Sequence, residues 1–546
     1  MCEDFEDKLF NMIRTNESKN DSGIQEKLTI DECLQKAGGF GRLRWAMLVY
    51  AILAKQGTSY FIFALAFLEL MPAFECRNSI NDPFVPCGDL SSLRSSSKIC
   101  KDHSLIDRDL WRIDYTDSKS FHNWMTELEL FCYSDFMIGL LGSVVFVGFA
   151  LSGILLKQAD NFGRKWTALS GILASCAIAF VLFFARNLYV IYVFLFLAGL
   201  FIYRNVAVYI LVLEMVPEKY RIYASSCILS AEAMLTVPPI TIFFLSGGKN
   251  MYHILAVGVG LSVISSISAF FVPESPKFLY GKKRFSALRS NLAYIARFNG
   301  TSMENYIIEG EVDFESSDLS LEKPVFQKSS SVEYNQDILD EQSLDKVKKS
   351  EEVQFFNIGQ QKEFSVMEEL KNRRTLINLI CVIAIFCSVT FNYYLIGFFL
   401  KYVGGNIFVN GLATAVSDIC GNYAGAFVQK LIGSKKTILL CLIIGLIAAI
   451  PLLFTTNPIL IAVCVFGGRF SIQGGITIAY FLNPETFPPL FVPFSFSVTN
   501  LICRVINIFA PQIAEIKPRQ TPIIILMCMT GLAVIFALIL KPGIKR

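Results

Sequence analysis

Apolar stretches of roughly 20 residues, separated by short polar segments, recur along most of the chain. A helix of about 20 apolar residues crosses the roughly 30 Å core of a bilayer, so each stretch predicts one membrane-spanning helix. Twelve stretches qualify, near residues 45–70, 136–156, 166–185, 188–213, 222–246, 251–272, 375–400, 403–429, 437–456, 459–483, 489–514 and 521–540. Barrel strands would be only about 10 residues long and alternate in polarity. The pattern therefore predicts an all-α membrane protein with six spans on each side of the heptapeptide 273–279.

Composition supports this class. Of the 546 residues, 53% are hydrophobic and only 17% are charged, which leaves too little polar surface for a soluble fold of this size. The formal net charge of +3 gives no support for nucleic-acid binding. We therefore expect the protein to lie in a lipid bilayer and not to bind nucleic acid.

The flanking charges predict an orientation. Residues 1–44 are polar and contain seven Lys or Arg, so we expect no cleavable signal and a cytosolic N-terminal tail. An even number of spans then returns the tail 541–546 to the cytosol, and basic residues around the central loop 273–374 agree. The predicted bundles are 45–272 and 375–540, and we expect a multi-pass protein of the plasma membrane.

The central loop contains an acidic insert at residues 301–365. It holds 15 acidic and 6 basic residues with many serines, and it has no apolar face to bury. We predict a disordered cytosolic segment. A passive linker and a phosphorylation target are both compatible with this composition.

Residues 72–135 form the one long segment on the predicted outer side. Four cysteines share it, namely Cys76, Cys87, Cys100 and Cys132. An oxidising exterior favours two disulfides among them, in any of three connectivities. A zinc site through Cys100, His103 and His122 is the alternative, but we expect no metal.

Six charged residues lie deep within predicted spans. They are Lys55, Arg204, Glu232, Asp418, Arg469 and Arg504, on the first, fourth, fifth, eighth, tenth and eleventh spans. A charge at the bilayer centre costs about 2.5–3.5 kcal/mol on insertion, so such residues face a cavity, pair with each other or serve transport.

Four cations against two carboxylates leave two positive charges, which favour an anionic ligand in a low dielectric. Arginine suits this task because its planar fork holds a carboxylate through two hydrogen bonds. Internal pairing is the alternative, with Lys55 joined to Glu232 and Asp418 joined to one arginine. Pairing of that kind would still leave two cations without a carboxylate among the six deep charges.

Charged motifs follow the second and fourth spans. Asp160, Gly163, Arg164 and Lys165 form one of them, and residues 433–436 occupy the corresponding place in the second half. Matching positions predict an internal repeat, although simple positive-inside anchors would give the same residues. Residues 214–221 contain opposite charges, Glu214 and Arg221, that could latch a cytosolic gate.

Several segments together resemble one family, the organic cation, anion and zwitterion transporters, which are solute carriers of the major facilitator superfamily. The resemblance runs from about residue 31 to 513 and rests on residues 38–42, the four-cysteine loop, and residues 160–165, 214–221, 273–276, 299–300, 393–394, 405–410 and 485–488. It implies two six-helix bundles around a cavity lined by helices 1, 2, 4, 5, 7, 8, 10 and 11. All six deep charges fall on those helices. Glu274 and Glu485 belong to the motifs that the resemblance associates with gating.

The resemblance also implies roles for individual residues. Arg504 stands where organic anion members have an arginine and cation members an aspartate, and Arg469 stands where anion members have a basic residue. Asp418 matches an acid found in both groups. Tyr393 and Tyr394 match an aromatic pair that can stack on organic substrates, although such tyrosines also occur as packing residues.

Together these features predict a secondary active transporter of small organic ions, with anions expected, working by alternating access around a midplane site. A carrier of organic cations or carnitine-like zwitterions is one alternative, with Asp418 and Glu232 as cation partners. A non-transporting receptor or scaffold is another. The sequence contains no phosphate-binding loop and no catalytic motif, so we expect no enzyme activity, no cofactor, and an ion gradient or exchanged solute as the driving force. The oligomeric state stays open.

Overall fold

A computed structural model describes most of the chain. The described residues are 26–39, 41–77, 80–87, 100–101, 104–105, 110–117, 120–156, 161–217, 220–301, 306–308 and 366–541. Asp160 and all of the acidic insert except residues 301 and 306–308 lie outside them, and so do the side chains of Cys100 and Glu232. Predictions that rest on those groups stay predictions.

The described residues form twelve long helices in the predicted order. They are α1 Arg42–Leu68, α2 Asp135–Leu156, α3 Arg164–Phe184, α4 Leu188–Leu200 with Tyr203–Met215, α5 Arg221–Leu245, α6 Met251–Phe271, α7 Arg373–Phe399, α8 Ile407–Ile432, α9 Ser434–Ala449, α10 Pro458–Thr486, α11 Val492–Asn507 with Ala510–Ala514, and α12 Thr521–Ile539. Within the described part of the chain, 10 helices are long and apolar enough to cross a membrane. Only α5 and α8 fall outside that set. The shorter stretch Leu235–Leu245 of α5 is also apolar.

Four even-numbered helices begin at an asparagine. Asn187, Asn250, Asn406 and Asn457 precede α4, α6, α8 and α10, and each side-chain oxygen accepts a hydrogen bond from the backbone N–H two residues further on. Such caps satisfy a donor that the first turn of a helix leaves open. The asparagines therefore fix where these helices begin.

Four short α-helices accompany the long ones in the described residues: Ile30–Lys36, Trp124–Glu127, Pro276–Gly281 and Val366–Lys371. Three 3-10 helices also occur there: Leu130–Cys132, Leu400–Tyr402 and Pro451–Leu453. A longer α-helix, Phe285–Asn299, follows the central heptapeptide and ends at Gly300, whose φ of 76° closes the last turn.

Seven short strands complete the secondary structure: β1 Glu26–Leu28, β2 Phe74–Cys76, β3 Val85–Pro86, β4 Cys100–Lys101, β5 Ser104–Leu105, β6 Trp111–Ile113 and β7 Tyr306–Ile308. β2 lies between β3 and β6 in an antiparallel sheet, β4 pairs with β5, and β1 runs parallel to β7.

The segment between α1 and α2 contains a predicted disulfide. Cys76 and Cys87 are bonded to each other, which confirms one of the expected pairs and ties β2 to the end of β3. Cys132 is also disulfide-bonded. Phe74, Trp111 and Phe131 pack edge-to-face beneath the sheet, with ring centroids 5.2–6.0 Å apart.

The chain divides into two compact units. The small unit comprises residues 1–45, 214–220 and 274–328, and the large unit comprises the remaining residues. Within the large unit, α2 packs on α4 and α3 on α6, while α10 packs on α7, α8 and α9. Contacts between the two halves join α5 to α8 and α2 to α11. The two pairs are equivalent, because α5 and α11 are the fifth helices of their halves and α2 and α8 are the second. This equivalence is expected of two repeats related by a pseudo-twofold axis.

Both halves start their third helix in the same way. Gly163 and Gly433 have φ angles of 107° and 83°, which favour glycine. The hydroxyl four residues later donates to each glycine carbonyl, from Thr167 over 2.8 Å and from Thr437 over 2.9 Å. The correspondence shows that the sequence similarity between the two segments reflects a structural repeat.

A lysine in each of these segments completes the repeat. Lys165 donates to the carbonyl of Phe270 at the end of α6 (3.2 Å), and Lys435 donates to the carbonyl of Leu540 just after α12 (2.6 Å). A cation at the C-terminal end of a helix is favourable because carbonyl groups there lack helical partners. Each lysine therefore joins the third helix of its half to the sixth.

Candidate functional site

A buried ion pair lies between α8 and α10. Arg469 donates from Nε to Oδ1 of Asp418 (3.2 Å) and from Nη2 to Oδ2 (2.9 Å). Both side chains are nearly inaccessible, at 6% and 7% exposure. The alternative in which Asp418 pairs with one arginine is therefore the arrangement found, and the charge of Arg469 is neutralised locally.

Tyr393 of α7 completes this cluster. Its hydroxyl donates to Asp418 Oδ2 (3.2 Å), and its carbonyl accepts from Arg469 Nη1 (2.6 Å). The guanidinium carbon of Arg469 lies 3.6 Å from the centroid of the Tyr393 ring, a cation–π arrangement. Three helices of the second half are held together by one polar cluster.

Arg504 of α11 lies in a different environment. Its Nη1 donates to the carbonyl of Phe149 and to Oγ of Ser152, both at 3.2 Å, and its guanidinium carbon lies 4.3 Å from the centroid of the Phe149 ring. Both residues belong to α2 in the other half. Among the described residues no carboxylate pairs with Arg504. A half-buried cation thus bridges the two halves through neutral acceptors.

Aromatic side chains surround this arginine. Tyr394 and Tyr480, from α7 and α10, lie close enough to interact electrostatically with its charge. The Tyr394 ring packs edge-to-face on Phe146 of α2, with centroids 4.5 Å apart. The site therefore combines one positive charge with rings from α2, α7 and α10.

The two remaining deep cations are buried in the first half. Lys55 of α1 is 5% exposed and Arg204 of α4 is 1% exposed. Arg204 lies against α3, because a Cβ at Gly171 would come within 2.7 Å of its own Cβ. The predicted pairing of Lys55 with Glu232 stays a prediction.

The predicted gating residues fall in both units. In the small unit, the hydroxyl of Ser275 donates to Glu214, the backbone N–H of Ser275 donates to Glu274 (2.9 Å), and the amide of Asn291 donates to the Glu274 carbonyl (2.7 Å). In the large unit, Glu485 accepts from the side chain of Gln429 at 3.2 Å. The predicted latch between Glu214 and the basic residues Arg164 and Arg221 stays a prediction.

Asn299 connects two motifs that are far apart in the sequence. Its amide donates to the carbonyl of Ala37 (2.7 Å), and its Oδ1 accepts from the backbone N–H of Leu43 (2.9 Å). A Cβ at Gly38 or Gly41 would come within 2.7 Å of the Asn299 side chain. Gly38 and Gly41 are therefore needed for the close approach of their segment to this asparagine.

One end of the large unit carries the segment between α1 and α2, and we call it the loop face. There the segment contacts the turn between α3 and α4 through Arg186 and Glu127 (3.2 Å) and the start of α6 through a bridge between His122 and Asn250.

Phe408, in the 405–410 motif, packs across the two halves at this face. Its ring packs against three rings of the first half, from Phe67, Phe121 and Phe244, at centroid distances of 6.0, 5.7 and 5.5 Å.

Three charged residues at the same face escaped prediction. Lys401, just after α7, donates to Glu69, just after α1 (2.6 Å), and pairs with Glu515, just after α11 (2.7 Å). In the sequence they look like ordinary charges at the ends of spans, since Glu69 is the second-last residue of the stretch 45–70 and Lys401 and Glu515 directly follow the stretches 375–400 and 489–514. Only their burial, at 1–4% side-chain exposure, distinguishes them.

Comparison with known proteins decides the family. Residues 113–511 match the sequence profile described as the Major Facilitator Superfamily. The chain belongs to this superfamily. The superfamily assignment confirms the predicted all-α membrane fold and the expected absence of enzyme activity.

This superfamily member is similar to several transporters of organic ions. It is 21% identical to organic cation/carnitine transporter 2 of Homo sapiens over 428 residues, covering 76% of this chain and 68% of the relative. It is 22% identical to the organic cation transporter-like protein of Drosophila melanogaster over 430 residues (76% and 69%). It is 23% identical to organic anion transporter 3 of Mus musculus over 403 residues (72% and 68%). The predicted resemblance to this group is confirmed, and the chain is an integral multi-pass membrane protein.

Proposed function

We propose that this protein is a secondary active transporter of small organic anions that works by alternating access. The observation that carries the proposal is Arg504, a cation between the two halves whose described partners are all neutral.

The charge balance favours a ligand at Arg504 over one at Arg469. Asp418 already neutralises Arg469, so an anion there would have to displace a buried partner. The acceptors of Arg504 are a carbonyl and a hydroxyl. A ligand carboxylate would replace them with charge-assisted hydrogen bonds, which are roughly twice as strong as neutral ones.

The position of Arg504 also supports a role in transport. The residue belongs to the second half and contacts α2 of the first half, so an anion bound there would touch both repeats. Substrate sites at the interface of two repeats are typical of transporters in which one repeat rocks against the other. We place this protein in the plasma membrane, with both termini in the cytosol and the loop face outside.

Uptake into proteoliposomes tests the proposal. The purified chain would be reconstituted and supplied with a radiolabelled aromatic monocarboxylate such as salicylate, with tetraethylammonium, or with carnitine. We expect uptake of the monocarboxylate and a reduction of about 10- to 100-fold in Arg504→Gln, since hydrogen bonds to a charged group contribute about 1.5–3 kcal/mol. Lys371→Gln removes one exposed positive charge and serves as the matched control. Anion uptake unchanged in Arg504→Gln would refute the assigned role.

A carnitine-like zwitterion is the second candidate, and the similarity to a carnitine transporter favours it. Arg504 would hold the carboxylate, while the rings of Phe149, Tyr394 and Tyr480 would face the quaternary ammonium group. Carnitine uptake that depends on Arg504, together with weak salicylate uptake, would select this candidate. Specific binding without uptake of any of the three probes would favour a receptor.

A further inference from the structure

A buried cluster of charges joins the two halves at the loop face. Lys401 lies between Glu69 and Glu515, with Nζ–O distances of 2.6 and 2.7 Å. Glu69 follows α1 in the first half, whereas Lys401 and Glu515 belong to the second. The three side chains are 1%, 1% and 4% exposed, so opening this face would rehydrate all of them.

Other polar groups face the cluster from neighbouring elements. The hydroxyl of Tyr402 donates to Glu515, the guanidinium carbon of Arg519 lies 3.3 Å from the centroid of the Tyr402 ring, and Tyr192 of α4 is close to Glu69. Lys517 pairs with Asp135 at 3.0 Å in a half-exposed bridge on the same face. Two carboxylates therefore share one buried ammonium, and Arg519 stacks on the tyrosine that donates to Glu515.

We infer that Glu69, Lys401 and Glu515 form a latch that closes the loop face, and that closure is accompanied by proton uptake at Glu69. The inference rests on the proposed alternating access, because a latch has a role only if this face opens. Lys401 supplies the attraction between the halves. The proton removes the excess negative charge that closure would otherwise bury.

The expected pH dependence follows from the burial of Glu69. Desolvation raises the pKa of Glu69 from 4.5 to about 7 in the closed arrangement, against the opposing effect of Lys401. In an open, hydrated face the pKa would return towards its ordinary value. The closed state thus binds the proton more tightly, and it is favoured as the pH falls through 7. Between about pH 7.4 and pH 6.0 the ratio of closed to open molecules should rise about eightfold by linkage.

A distance measurement that does not require transport tests the latch. Tyr189 and Ile459, exposed at the loop-face starts of α4 and α10, would each be replaced by a spin-labelled non-canonical amino acid in the full chain. Double electron–electron resonance in lipid nanodiscs would then report the populations of short and long separations. Native cysteines do not interfere with labels introduced in this way.

The expected results separate the parts of the inference. In the parent protein, the ratio of short to long separations should rise about eightfold when the pH is lowered from about 7.4 to about 6.0. Glu69→Gln should keep the short separation at both pH values. Lys401→Met should favour the long separation, and the exchange Glu69→Lys with Lys401→Glu should restore the short one. Asp135→Asn, which breaks the half-exposed bridge to Lys517, is the control and should change little.

Two results would overturn the inference. A pH response in Glu69→Gln equal to that of the parent would show that Glu69 is not the group that takes up the proton. A short separation in Lys401→Met would show that Lys401 does not hold the loop face closed. If Lys401→Met does not fold, Glu69→Gln alone decides the question. Uptake is a separate readout: the expected distances without uptake of any probe would refute the proposed transport and leave the latch in place.

Discussion

The ion pair between Asp418 and Arg469 yields a quantitative prediction. Asp418→Asn keeps the shape of the side chain and one acceptor oxygen but removes the charge. Arg469 then loses its counterion while its side chain is only 6% exposed. Removing one partner of a buried pair costs about 3–5 kcal/mol, because the other charge stays buried without compensation. We expect a loss near the lower end, about 3 kcal/mol, because the carbonyl and ring of Tyr393 still contact the guanidinium.

A double-mutant cycle distinguishes this explanation from ordinary packing damage. Arg469→Gln in the Asp418→Asn background removes the uncompensated charge, so the double variant should be more stable than the sum of the two single losses predicts, by at least about 2 kcal/mol. The free energy of unfolding would be measured in mixed micelles by titration with sodium dodecyl sulfate, with Lys436→Gln as the exposed control. Losses that simply add would show that the two charges are not coupled, which would refute the argument.

Two further predictions concern the segments 405–410 and 38–42. Phe408→Ala removes a ring that is 3% exposed and packs on three others, so the closed loop face should lose about 3–5 kcal/mol; spin-label distances across that face should lengthen, and unchanged distances would contradict the packing argument. Gly41→Ala places a Cβ 2.7 Å from Oδ1 of Asn299, so Asn299 should be displaced from Ala37, to which it donates. Exchange of the backbone amide hydrogens in the adjoining helix Ile30–Lys36 should then accelerate. In an Asn299→Ala background the same substitution should have little additional effect, and an equal acceleration there would exclude the clash as the cause.

The helices were predictable because the requirement for them is local. A stretch predicted at 251–272 is a helix over Met251–Phe271, and one predicted at 136–156 is a helix over Asp135–Leu156. A segment of about 20 apolar residues has to satisfy its backbone hydrogen bonds internally once it lies in lipid, whatever its neighbours are. The repeat marked by Gly163 and Gly433 was visible for a similar reason, since the turn imposes the same residue type in both halves.

The sequence alone thus determined the class of fold, the order of the helices and the set of deep charges. Which charges neutralise one another was decided by tertiary structure. Asp418 and Arg469 are 51 residues apart, and Glu69 and Lys401 are 332 apart. Hydrophobicity places each of these residues at a depth but does not set the rotation of its helix or the neighbour it meets. Packing makes that choice, and it pairs Arg469 with a carboxylate while leaving Arg504 on neutral acceptors between the two halves.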